Sequence, residues 1–121
     1  MKNLSVLLAA FACTSAFAGD IKKGEALVKE KACLACHGEN MNKPTDATIP
    51  KLAGQYEDYL FVALKSYKTQ GNAIVGRNNA SMVGFAKQLS TQDMKDIAAY
   101  IAQVPGDLKV APEPKIRFGQ Q

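Results

Sequence analysis

The side chains best suited to chemistry stand together at Cys33-Leu34-Ala35-Cys36-His37. Two cysteines three positions apart in a tight turn point the same way, and an imidazole follows directly. Cys-x-x-Cys-His is the spacing of covalent c-type haem attachment. Each sulfur adds to one vinyl group, and His37 presents its ring to the iron from one face. The same residues admit other chemistry. A structural disulfide is one alternative. A thioredoxin-like dithiol is another, but it needs a βαβ setting, and no alternating apolar run long enough for a strand is present. A closed structural zinc site wants four Cys or His ligands, one more than Cys33, Cys36 and His37 supply.

An iron held by His37 needs a sixth ligand or an open position. His37 is the sole histidine of the sequence, so two histidines from one chain are excluded. Met41 lies four residues after His37, and four extended residues reach at most about 14 Å. That is too little chain to round a macrocycle. Met94 falls on the apolar stripe of a helix, where packing is its expected role, with ligation as second candidacy. Met82 follows His37 by 45 residues, enough chain to reach the opposite face, and is the expected distal ligand. A soft, neutral thioether favours ferrous iron and raises the reduction potential. Six-coordination also closes the position where oxygen or peroxide would bind.

Few elements are available to position these groups. Asp20 can cap a helix from about Ile21 to Lys31, with Gly24 inside it at a cost of about 1 kcal/mol in propensity unless another helix crosses there. Gly38 to Pro50 reads as a loop broken by Pro44 and Pro50. Gly54 to Lys68 reads as a helix with Leu60 and Leu64 on its apolar side. Gly71 to Gly84 is rich in Gly and Asn and reads as irregular chain carrying Met82. Ser90 and Asp93 form a capping-box pattern ahead of Met94, Ile97, Ala98 and Ile101, and Pro105-Gly106 stops that last helix. The expected organisation is one domain over residues 19–106 and an extended tail over 107–121.

Composition and the first residues set the context. The chain of 121 residues has no Trp and only 7% aromatic residues, so its core is thin. Small domains of this kind recruit a disulfide, a metal or a bound group. Lys2, the apolar run from Leu4 to Phe11 and Ala16-Phe17-Ala18 form a secretory signal peptide pattern, residues 1–18, with cleavage after Ala18. A buried N-terminal helix and lipid attachment at Cys13 are the competing readings. The apolar run is shorter than the roughly 20 residues a membrane span needs. The mature chain is expected in the periplasm without a membrane span, as a monomer or weak dimer. The net charge of +4 falls to +3 without Lys2. No basic tract is interleaved with aromatics, which argues against nucleic-acid binding.

The export signal, Gly24 ahead of the Cys33–His37 motif, Met82 and a final helix with Tyr100 together resemble a class I c-type cytochrome. The sequence is most similar to the small bacterial c-four and c-five group, where a Pro-x-Leu-Ala-Gly-Gln segment precedes a helix. Here it stands as Pro50-Lys51-Leu52-Ala53-Gly54-Gln55, and Asp96-Ile97-Ala98-Ala99-Tyr100 fits as well. The resemblance implies an all-α class I cytochrome c fold, with three main helices and long loops around one covalently attached haem c. It implies that the first and last helices cross near Gly24 and Tyr100, with a leaner contact because Val28 stands where the family often has an aromatic. It also implies that the Pro50 carbonyl accepts the Nδ1–H of His37. The implied function is a periplasmic electron carrier with redox protein partners, not an enzyme. The exposed haem edge would lie near Leu34 and Ala35. Lys29, Lys31, Lys43, Lys51 and Lys87 could ring it and steer an acidic partner. Two alternatives stand beside it. One is a dedicated haem subunit or electron acceptor of a periplasmic dehydrogenase, for example a sulfur-oxidising one. The other is a haem sensor or enzyme with a labile distal ligand. The c-four proteins carry two haems, and this chain, with one motif, looks like one half of that arrangement.

Overall fold

The computed structural model describes residues 18–69 and 76–109. The expected signal peptide through Phe17, with Cys13, the expected Gly71-Asn72 turn and residues 110–121 of the expected tail lie outside the described residues. Among the described residues there are five α-helices and no strand: α1 (Ile21–Glu30), α2 (Leu34–His37), α3 (Glu57–Lys68), α4 (Ala80–Lys87) and α5 (Thr91–Gln103). A 3₁₀ turn spans Glu39–Met41. The three long helices expected from the sequence are α1, α3 and α5.

Two helices begin as their caps dictate. The Asp20 carboxylate accepts the Lys23 N–H at 3.1 Å and starts α1. At α5 the Ser90 hydroxyl accepts the Asp93 N–H at 3.0 Å while the Asp93 carboxylate accepts the Ser90 N–H at 2.9 Å. Two boundaries differ from expectation. The third helix starts at Glu57 rather than Gly54, because the Gly54 N–H bonds the Ile101 carbonyl at 3.3 Å and ties this stretch to α5. Met82 stands on α4 and not in an irregular loop. Asn79, which reads as a turn residue, is an N-cap whose side chain accepts the Met82 N–H at 3.1 Å. An Asn cap is among the most favourable and offsets the helix-weakening Gly84.

The core lies where α1 crosses α5 and α5 packs on α3, with α4 closing against α3. Leu27, Val28, Leu60, Met94, Ile97 and Ile101 are buried there. Gly24 makes the crossing possible: a Cβ on it would fall 1.9 Å from the Asp96 carbonyl oxygen and 2.9 Å from the Tyr100 Cβ. No methyl fits without separating the helices. Overpacking of this kind typically costs 1–3 kcal/mol, so Gly24→Ala is expected to lose about 3 kcal/mol, read as a lower urea midpoint of the haem-loaded protein.

A charged knot locks the same crossing. The Asp96 side chain is buried and accepts the Asp20 N–H at 2.9 Å and the Gln92 amide at 2.8 Å. Lys23 Nζ lies 3.0 Å from its second oxygen and 3.1 Å from Asp93. Burial opposes ionisation of Asp96, but these donors prevail and hold its pKa below the usual carboxylate range. The Ser90 hydroxyl and N–H, with Lys23, lower Asp93 to about 2. Both folded-state values lie below those of the unfolded chain. The stability they contribute is therefore present above about pH 4 and lost as pH falls through the folded values. Urea unfolding at pH 7 and pH 3 is expected to show a lower midpoint at pH 3, and Asp93→Asn to flatten part of that difference. An unchanged midpoint would contradict the knot's role.

Candidate functional site

The motif is delivered by a chain reversal after α1. Ala32, in the left-handed region at φ 52°, turns the backbone, and the Cys33 N–H bonds the Val28 carbonyl at 3.1 Å. Cys33 then caps the single turn α2, which ends on His37. Neither cysteine is in a disulfide; Cys33 is half-buried and Cys36 exposed. Burial pushes the Cys33 thiol up. Gly38 follows at φ 74°, and a Cβ there would fall 1.6 Å from the Lys43 carbonyl oxygen. Only glycine serves at that turn.

His37 is 6% exposed. Its Nδ1 lies 2.9 Å from the Pro50 carbonyl oxygen. A carbonyl can only accept, so Nδ1 carries the proton and Nε2 is the nitrogen left to bind a metal. Pro50 is held in place by its neighbours: the Leu52 and Ala53 N–H groups both bond the Met41 carbonyl, at 2.8 and 3.1 Å. The Pro50 contact implied by the resemblance is thus present.

His37, Cys33, Cys36 and Met82 line one cavity of about 410 Å³. Leu60, Leu64, Phe85, Leu89, Ile97 and Ile101 supply much of its apolar wall. Lys31, Lys51 and Arg77 also reach it, and among the described residues no Asp or Glu does. Arg77 donates to the Tyr59 hydroxyl at 3.2 Å, and its guanidinium lies 5.6 and 5.8 Å from the Tyr59 and Tyr67 ring centres. The volume is nearly three times that of an engineered cavity of about 150 Å³ that takes benzene. A large flat apolar group with acidic substituents matches these walls. Two unpaired thiols and one histidine nitrogen suit its covalent and metal attachment. The donor set and the lining therefore fit a haem.

Met94 is 1% exposed and does not line the cavity, in keeping with a packing role. Met41, set aside in the sequence, is buried and does line it. Asn40 and Met41 both stand in the left-handed region, at φ 53° and 57°, which folds Met41 inward. Sequence reasoning also missed Arg77. The available signal was Tyr59, Ala63 and Tyr67 at helical spacing, which places both tyrosines on the cavity face of α3. The expected lysine ring is largely neutralised. Lys29 pairs with Glu25 at 2.6 Å, Lys31 with Glu30 at 2.9 Å, Lys43 with Glu39 at 3.2 Å and Lys51 with Asp107 at 2.8 Å.

Comparison with known proteins agrees with this geometry. The family model Cytochrome c matches residues 21–105. Cytochrome c4 of Stutzerimonas stutzeri is 39% identical over 108 residues, covering 86% of this chain and 50% of that protein. The thiosulfate dehydrogenase electron acceptor of Thiomonas intermedia is 40% identical over 84 residues, covering 69% of this chain and 36% of that protein. The crystal structure of reduced recombinant cytochrome c4 from Pseudomonas stutzeri superposes with a TM-score of 0.65 at 38% identity, covering 75% of this chain and 48% of that one. The chain thus spans about half the length, or less, of these relatives. On sequence, fold and cavity together, the chain belongs to the cytochrome c family, as a class I c-type cytochrome of the c4 group with covalently bound haem c.

Proposed function

We propose that the chain is a periplasmic electron carrier whose haem is joined to Cys33 and Cys36 and ligated by His37 and Met82. The single observation that carries this reading is the convergence of those four side chains on one cavity. When bound, the haem supplies a one-electron couple. Pro50 holds the proton of His37 on Nδ1, which orients the ring and raises the basicity of Nε2. Met82 offers a neutral sulfur that favours the ferrous state. The apolar wall excludes water, and Arg77 offers a charged, hydrogen-bonding corner to an acidic substituent. Exposed Ala35 and Cys36, beside half-buried Leu34, mark the face presented to redox partners. With Lys29, Lys31, Lys43 and Lys51 paired, that face carries less charge than its lysines suggest. Among the described residues no helix is long and apolar enough to cross a membrane.

Reductive titration of the purified protein is expected to consume one electron per chain and to leave a ferrous form that does not bind carbon monoxide. Carbon monoxide binding to the unaltered protein would overturn six-coordination and favour a sensor or enzyme. The likeness to the Thiomonas intermedia electron acceptor favours a second reading, a dedicated acceptor for one periplasmic dehydrogenase. Co-purification with such an enzyme separates it from a freely diffusing carrier.

A further inference from the structure

The residues after α5 turn back onto the histidine side of the cavity. Gly106 seats against Ala53, so closely that a Cβ on it would fall 2.5 Å from the Ala53 carbonyl oxygen. Asp107 Oδ2 then meets Lys51 Nζ at 2.8 Å. Leu108 is half-buried and lines the cavity. The residue that Asp107 grips is well placed. Lys51 follows Pro50, whose carbonyl takes the His37 proton. The Pro50 stretch is itself tied down by two N–H groups, of Leu52 and Ala53, on the Met41 carbonyl.

We infer that Gly106–Leu108 is a strap that clamps the Pro50 carbonyl onto His37, which makes Asp107 a positioning residue for the iron centre. The inference rests on His37 being the iron ligand. A carbonyl held firmly on Nδ1–H makes the imidazole a stronger donor at Nε2. Stronger donation favours ferric iron, so a loosened strap raises the reduction potential. The ion pair is partly exposed, 41% and 62% at the two side chains, and such pairs are weak alone. The close seat of Gly106 on Ala53 carries more of the clamp.

The test uses the haem-loaded full chain. Proton NMR of the ferrous protein follows solvent exchange of the His37 Nδ1–H, and a potentiometric titration follows the couple. Asp107→Asn is expected to speed that exchange about two- to fivefold and to raise the potential. The charge-swapped pair Lys51→Asp with Asp107→Lys is expected to restore both. Gly106→Ala is expected to move both further in the same direction. If Gly106→Ala yields no folded protein, Asp107→Asn and the swap decide. Wild-type exchange and potential in Asp107→Asn would overturn the strap. So would a change that the swap fails to reverse. Absence of iron-perturbed His37 ring resonances in the unaltered protein would instead remove the ligand assignment beneath it, a distinct and recognisable failure.

Discussion

Replacing Cys33 and Cys36 together by alanine is expected to abolish haem attachment and most of the folded population with it. The cavity those thiols face is about 410 Å³. At roughly 24 cal/mol per Å³ of unfilled cavity, leaving it empty costs on the order of 10 kcal/mol. The whole stability of a small domain is about 5–15 kcal/mol. Partial collapse of the walls would recover some of that cost, but α3 and α5, which both line the cavity, already pack on each other and cannot shift far without losing that packing. Haem staining on a denaturing gel and far-ultraviolet circular dichroism check both halves of the expectation. A double variant that stays helical and unfolds cooperatively without pigment would contradict it.

The second large effect is expected from Met82→Ala. Removing the thioether opens the distal side while Cys33, Cys36 and His37 keep their places, so the pigment remains attached. The reduction potential should fall by on the order of 100 mV, a modest part of the roughly 0.8 V that axial ligands control. Carbon monoxide should bind the ferrous variant. The helix itself should persist, because the Asn79 cap bonds the backbone of residue 82 and not its side chain. If the ferric methionine–iron absorption survives the substitution, another thioether is the ligand. The sequence points next to Met94. Met94 does not line the cavity, and Met41, which does, is too near His37 in the chain to reach the opposite face, so survival of that absorption would overturn the distal assignment as a whole.

The parts of this molecule that read directly from its sequence are those set by local spacing. Cys33, Cys36 and His37 come to one place because a single helical turn suffices to arrange them. The Ser90–Asp93 box and the Asp20 cap are likewise local hydrogen bonds. Gly24 was legible as a close crossing because a glycine within a helix needs a packing reason.

What escaped depends on distant partners. Asn79 carries the same chemistry whether it makes a turn or caps a helix, and only the packing of α4 on α3 decides. Met41 enters the cavity through two consecutive left-handed residues, and its carbonyl is bonded by residues 52 and 53. No periodicity encodes that. The lysines were a mixed case. Glu25–Lys29 and Glu39–Lys43 are four-residue pairs visible in the sequence, whereas Lys51 finds Asp107 across 56 residues. That last pair also draws Leu108, read as tail, onto the wall of the cavity.

The central claim is that one haem is held between His37 and Met82 in a closed, six-coordinate site. A visible and near-infrared spectrum of the purified protein in both oxidation states tests it most directly. The expected result is low-spin iron throughout, with a methionine–iron charge-transfer band in the ferric state. A high-spin ferric spectrum, or a colourless protein exported from cells that ligate haem normally, would contradict it.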